Sequence, residues 1–348
     1  MKHTLFYLGH PAHFHLFKNV MLSLPEKEYT VAIKSKDVLE KLLTEHGIKY
    51  INVDTKSALK KDKTKLDILS AFAGRMWKLA GVIWKNKIQI LAGSAAELGV
   101  LGRVLNRTSC IFFEDDFEKV KPFAKIAGPT AKYLICPDCC SAWKWNYKKT
   151  GYNSYHELAY LHPEHFTPIE SKVSSLFDLT KRNFILRFSE LGAYHDVGKT
   201  GITDELALEL IDLLSSHGNI YITSERPLAP KFEKYRITIK ASDIHHALYY
   251  ADMFIGDSQT MTAEAAVLGT PAVRFNDFVG ELSYLEDLEH TYGLTYGIRT
   301  EDAEKLPLKI KELLSISDLK KEWAIRRTKM LQDKCNFATW MKSFLEKL

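Results

Sequence analysis

The chain has 348 residues, of which 46% are hydrophobic and 26% charged, with a formal net charge of +5. That length suffices for two domains with separate cores, and that balance excludes a fibrous, disordered or membrane-embedded chain. So mild a positive excess does not suggest a nucleic-acid partner.

Met1-Lys2-His3 leads directly into the apolar run TLFYLG (4–9), with no apolar h-region, so a cytoplasmic protein is expected. Further strands are predicted at YTVAIK (29–34), YINV (50–53), IQILAG (88–93), SCIFFE (109–114) and AKYLICP (131–137). Helical stretches at 15–24, 38–46 and 97–105 separate them, and this alternation means a parallel sheet covered on both faces.

One helical stretch stands apart. Lys56, Lys60, Lys61, Lys63 and Lys65 precede a segment, 66–87, that mixes Phe72, Met76, Trp77 and Trp84 with Arg75, Lys78, Lys85 and Lys87. Such a helix can lie on the inner face of an anionic cell membrane as a peripheral contact; the alternative is an ordinary crossover helix whose aromatics face the sheet. It is not a membrane span, because Arg75 and Lys78 interrupt its apolar run.

Five cysteines in a chain without an export signal point to a reducing compartment. Cys136, Cys139 and Cys140 have no second pair with zinc spacing, and they read as small apolar residues closing a buried strand.

A prolonged aperiodic stretch with Pro163 and Pro168 follows, so the first domain is expected over 1–162 and a linker over 163–181. The second domain, 182–335, repeats the alternation with strands at 183–188, 219–224, 236–239, 253–257 and 271–275 and helices at 204–217, 243–250, 262–268 and from 303 onward. A last helix, 336–348, carries Phe337, Trp340, Met341, Phe344 and Leu345 on one stripe.

The segment ADMFIGDSQTMTAEAAVLGTPAVRF (251–275) is the most informative. It reads as a buried strand, a small polar loop with Asp257, Ser258, Gln259 and Thr260, and a helix start bearing Glu264. Free backbone N–H groups and the positive end of the helix dipole then meet at one point, which suits a diphosphate, while Glu264 can accept ribose hydroxyl protons.

Other strand ends bring further candidates to the edge where open parallel sheets bind ligands. These are Gly9-His10-Pro-Ala-His13-Phe-His15, Glu114-Asp115-Asp116, Arg187 with Ser189, and Thr223-Ser224-Glu225-Arg226. Arg187 suits a phosphate. Adjacent acids raise one another's pKa and suit Glu114 to acid/base work, although consecutive acids also occur in solvated loops. Three histidines so closely spaced around a turn rarely converge on a metal, so none is expected.

The motif resembles that of the GT-B superfamily, in particular UDP-N-acetylglucosamine 2-epimerases, with Asp257, Ser258, Glu264, Leu268, Gly269 and Pro271 in matching positions. Gln259 and Thr260 stand where that pattern has two glycines. Together with GHPAHFHLFKN, GYNSYHELAYLHP and RFSELGAYHDVGKTG, it resembles an uncharacterised GT-B-like family, domain of unknown function 354, over nearly the whole chain.

The resemblance implies two Rossmann-like doubly wound parallel-sheet domains facing a cleft, with the terminal helix packing back on the first. It further implies a metal-independent, cofactor-free glycosyltransferase acting on a nucleotide-diphospho-sugar, UDP-linked, and a glycan or lipid-linked acceptor. Gly9, His10, Arg187, Ser189, Ser224, Glu225, Asp257, Ser258, Gln259, Thr260 and Glu264 would hold the donor, with His13 the preferred base and Glu114 the other catalytic group. A sugar-nucleotide 2-epimerase is the rival; against it, Gly93-Ser94 stand where the epimerases carry an Asp. A nucleotide-sugar-binding protein without turnover is the third reading.

Overall fold

The computed structural model describes residues 2–34, 37–54, 65–189 and 201–348. Lys56, Lys60, Lys61, Lys63, the Lys65 side chain and the segment 190–200, with His195 and Asp196, lie outside the described residues. The chain divides into two compact units, Met1–His165 with Cys335–Leu348, and Phe166–Lys334.

The first unit alternates β1 (Thr4–Leu8), α1 (Pro11–Leu22), β2 (Tyr29–Ile33), α2 (Asp37–Glu45), β3 (Ile51–Asn52), α3 (Lys65–Lys85), β4 (Ile90–Gly93), α4 (Ala96–Val104), β5 (Thr108–Phe112), α5 (Lys121–Thr130), β6 (Tyr133–Pro137) and β7 (Lys149–Tyr152). Its strands form one parallel sheet in the order β3-β2-β1-β4-β5-β6-β7. Every residue of β1 and β4 is buried, as continuous apolar runs covered by helices on both faces require. The direction of winding reverses between β1 and β4.

Two local expectations shift. α1 begins at Pro11, four residues earlier than expected, with proline at a position where its missing N–H costs nothing and with His10 as the cap, so His13 belongs to the helix rather than to a preceding loop. α3 buries Leu79 and Ile83 but leaves Trp77 83% and Trp84 80% exposed, contrary to a crossover helix whose aromatics face the sheet. The last helix, α12 (Phe337–Glu346), packs within this unit: Phe337 stacks on Tyr152 with ring centroids 3.8 Å apart.

The second unit contains β8 (Arg182–Phe188), α6 (Asp204–Ser215), β9 (Gly218–Ser224), α7 (Ile244–Tyr250), β10 (Met253–Gly256), α8 (Gln259–Leu268), β11 (Ala272–Phe275), α9 (Ser283–His290), β12 (Thr295–Ile298), α10 (Lys305–Leu314) and α11 (Leu319–Asp333). Its five strands are parallel, in the order β12-β11-β10-β8-β9, and the winding reverses between β8 and β10.

The strand expected at 236–239 is absent; Arg236 makes only an isolated bridge to Ile222. β7 and β12 take short edge positions that periodicity does not mark, and in β12 the buried Thr295 hydroxyl donates to the Ala272 carbonyl at 3.0 Å. The stretch expected as a linker contributes to the second core through buried Val173 and Phe177, the latter 4.6 Å from the Tyr221 ring. Among the described residues no helix is long and apolar enough to cross a membrane.

Candidate functional site

In each unit the reversal of winding opens a crevice at the carboxyl ends of the strands, which is where open α/β sheets take ligands. In the second unit that point lies between the ends of β8 and β10, and α8 starts there.

Ser258 is the N-cap of α8, its hydroxyl accepting the Met261 N–H at 3.4 Å. Gln259 and Thr260, expected in a polar loop, therefore belong to the helix's own first turn. Gln259 and Thr260 are its first two residues, and their N–H groups have no acceptor among the described residues. These donors and the positive end of the helix dipole lie at the switch point, and a diphosphate is the chemistry they suit. The backbone supplies the donors, so side chains at 259 and 260 replace the two glycines of the resembling pattern without removing a single N–H.

Asp257 has another occupation. It is 2% exposed and accepts the N–H of Ser189 at 2.7 Å and of Ile202 at 3.4 Å. A Cβ on Gly201 would come within 2.5 Å of its carboxylate, so glycine is needed there for that approach. Burial raises the Asp257 pKa. Asp257 thus ties Ser189 to Ile202.

Arg187, on β8, is near the switch point, and a Cβ on Gly256 of the neighbouring strand would lie 2.8 Å from its own Cβ. Its guanidinium donates to Thr223 Oγ1 at 2.9 Å and pairs with Glu225. Glu225 is thus the counter-ion of the expected phosphate ligand, and an incoming diphosphate would compete with it. The Ser224 hydroxyl donates to the Arg226 carbonyl at 2.6 Å, in a turn. Arg226 in turn donates to Ile202 O at 2.6 Å and lies over the Phe188 ring, a second cation at this edge.

Glu264 is 6% exposed, and its Oε1 lies 3.0 Å from His245 Nε2. His245 had no assignable contact in the sequence, since it precedes Glu264 by 19 residues on a different helix. It fixes Oε1 of that carboxylate.

In the first unit Gly9 follows β1, and its N–H donates to His13 Nδ1 at 3.1 Å. A neutral His13 ring therefore carries its proton on Nε2 and presents a donor there, which does not suit it to take a proton. His10 Nδ1 accepts the Ala12 N–H at 3.2 Å and serves as the α1 cap.

Glu114, just beyond β5, is the more suitable base. Its side chain is 12% exposed, Oε1 accepts the His156 N–H at 2.9 Å, and Oε2 lies 3.6 Å from His156 Nδ1. Burial, and then the charge of Glu157, push its pKa well above the usual carboxylate range. The charge of Glu157 outweighs that of the sequence-adjacent Asp115, which also raises it, while Asp116 accepts the Ser141 N–H at 2.6 Å.

His156 itself is pushed down to about 3 by burial and by the charge of His13, so it is neutral near pH 7. Its ring stacks on Phe337, 5.7 Å between centroids and 4° between planes. His156 and Glu157 follow β7, an element the hydrophobic pattern does not mark; they lie inside the GYNSYHELAYLHP motif, which assigned neither of them a role. Among the described residues no group of three or more His, Cys, Asp or Glu could hold a metal ion.

The family described as "Protein of unknown function (DUF354)" matches residues 6–285. No curated protein matches the sequence. Among solved structures, UDP-GlcNAc 2-epimerase from Neisseria meningitidis, bound to UDP-GlcNAc, is similar over 100% of this chain and 100% of its own, with a TM-score of 0.68 and 12% identity. HepE from Anabaena, in complex with UDP, is similar over 100% of both chains at a TM-score of 0.63 and 14% identity. Spinosyn rhamnosyltransferase, complexed with thymidine diphosphate, is similar over 99% of this chain and 100% of its own at 0.65 and 11%. At such identities the likeness establishes the fold, two parallel-sheet α/β units of the GT-B kind.

Proposed function

Since the chain belongs to the family described as protein of unknown function (DUF354) and has the GT-B fold, we propose that it is a metal-independent, cofactor-free glycosyltransferase. Its donor is a nucleotide-diphospho-sugar, UDP-linked, and its acceptor a glycan or lipid-linked hydroxyl in surface polysaccharide or glycoconjugate synthesis. It works in the cytoplasm.

The observation that carries this reading is the start of α8 at the switch point of the second sheet, where the N–H groups of Gln259 and Thr260 have no acceptor among the described residues. Those donors take the diphosphate, Arg187 and Arg226 add positive charge, and Glu264, steadied by His245, accepts from the ribose. Glu114 takes the proton of the acceptor hydroxyl as its oxygen bonds to the anomeric carbon. The bond from that carbon to the diphosphate breaks, and its electron pair leaves with the diphosphate, stabilised by the α8 N-terminus.

Titration of the folded protein with nucleoside diphosphates is expected to raise the melting temperature in proportion to occupancy, most with UDP. In calorimetry, Glu264→Ala should bind UDP about tenfold or more weakly, the loss of a hydrogen bond to a charged acceptor. Glu264→Gln, which keeps an acceptor for His245, checks that the loss is not one of folding. Unchanged affinity in both would remove Glu264 from the ribose.

A sugar-nucleotide 2-epimerase is favoured by one feature, the buried carboxylate of Glu114 with its raised pKa. Incubating UDP-N-acetylglucosamine in deuterium oxide separates the two, because transfer leaves C2 unlabelled and epimerisation labels it.

A further inference from the structure

Between Ser70 and Phe113 the chain has one acid, Glu97, and six cations, Arg75, Lys78, Lys85, Lys87, Arg103 and Arg107. This stretch alone matches the +5 net charge of the whole chain. Glu97 is spent on Arg75, at 3.2 Å and with both side chains 13% exposed. The other five cations have no carboxylate within salt-bridge distance among the described residues.

On the same helix Trp77 and Trp84 are the two most exposed large apolar side chains of the described protein, at 83% and 80%. Seven residues apart, they share one face of α3, with exposed Gly81 between them, while Leu79 and Ile83 fill the opposite, buried face. The ends of α3 and α4 come together, because the Thr108 N–H donates to the Gln89 carbonyl at 3.0 Å. Val104, 73% exposed, and Arg107 therefore stand at the same end of the unit as Trp84, Lys85 and Lys87.

Ordinary solvated helix faces do not expose two tryptophans within a ring of unpaired cations. Tryptophan favours the level of lipid headgroups, and lysine and arginine favour an anionic leaflet. We propose that this face, Trp77 and Trp84 with Lys78, Lys85, Lys87 and the α4 end, docks the protein on an anionic membrane surface. A second copy is a poor occupant, since a symmetric contact would bring two basic faces together. The last turn of α3 lies at the amino-terminal edge of the sheet, opposite the carboxyl edge with His13 and Glu114, so docking there leaves that edge open. The proposal goes beyond the glycosyltransferase reading and does not depend on it.

Flotation of the whole protein with vesicles tests this. Binding is expected to vesicles of phosphatidylglycerol and phosphatidylcholine, not to phosphatidylcholine alone, and to weaken as salt rises. Trp77→Ala with Trp84→Ala should weaken partitioning about tenfold or more, as should Lys85→Glu with Lys87→Glu.

Folding is checked by the melting temperature, which such exposed substitutions should barely move. The thermal shift given by UDP should be the same in all variants, so vesicle binding and nucleotide binding succeed or fail separately. Wild-type protein that ignores anionic vesicles, or a double tryptophan variant that floats as well as the wild type, overturns the proposal. So does loss, in that variant, of self-association in sedimentation velocity, or of binding to a single-stranded oligonucleotide by a wild type indifferent to vesicles.

Discussion

Glu114→Gln is expected to lose transfer activity by about 10²–10⁴-fold, the usual worth of a positioned base, and yet to melt higher than the wild type at pH 8. Both effects follow from the same burial. The folded pKa of Glu114 is raised, so the folded state holds a proton that the unfolded chain releases above its own value of about 4.3. Stability linked to this group is therefore fully present below that value and is lost as pH rises toward the folded pKa. Glutamine keeps the acceptor for the His156 N–H and cannot ionise, so each kcal/mol relieved should raise the melting temperature by about 2–4 °C in a protein of this size.

His156 acts in the opposite direction. Its folded value is about 3 against an unfolded value of about 6.5, so stability falls as pH drops through that window. Melting curves across the pH range, run beside activity, read both limbs. A variant that keeps full activity, or one that gains nothing in stability at pH 8, would separate Glu114 from the role given to it.

Gln259→Pro is expected to weaken UDP binding by about 10–150-fold, the range given by losing one hydrogen bond of about 1.5–3 kcal/mol to a charged acceptor. The substitution deletes the N–H at the first position of α8, where proline is tolerated. Ser258 already has φ −89° and ψ 122°, the extended backbone that the residue before proline adopts. Gln259→Ala, which keeps the N–H, should bind like the wild type. Calorimetry on both, with melting temperatures as the folding control, isolates the backbone donor from the side chain. Equal affinity of the proline variant would move the diphosphate away from the α8 N-terminus.

Much of the β10–α8 segment was legible in the residue order. The run from Ala251 to Phe275 is local: a buried strand, a cap, a helix and the next strand follow within one crossover, so short-range rules locate Ser258 and the α8 start to within three residues. Of the cluster at the end of β5, only Glu114 and its acidic neighbours were legible. The partner of Glu114, His156, is 42 residues away and follows an edge strand, Lys149–Tyr152, that has no apolar alternation to announce it. The roles given to individual side chains moved for the same reason. Asp257 lies beside Ser258 in sequence but is bonded to Ser189, 68 residues away, and Glu264 is bonded to His245.

The sequence by itself determined the alternation of strands and helices, their grouping into two parallel-sheet units, and the polar cap that starts α8, because each depends on residues within a few turns of one another. Tertiary structure alone decided which side chains meet at the strand ends, and which face of α3 is left to solvent. Hydrophobic period tells which residues avoid water, but Trp77 and Trp84 are apolar and yet exposed, since Leu79 and Ile83 occupy the face turned inward. Strand order, set by long-range pairing, then fixes whether a carboxylate finds a histidine, a backbone N–H or a ligand.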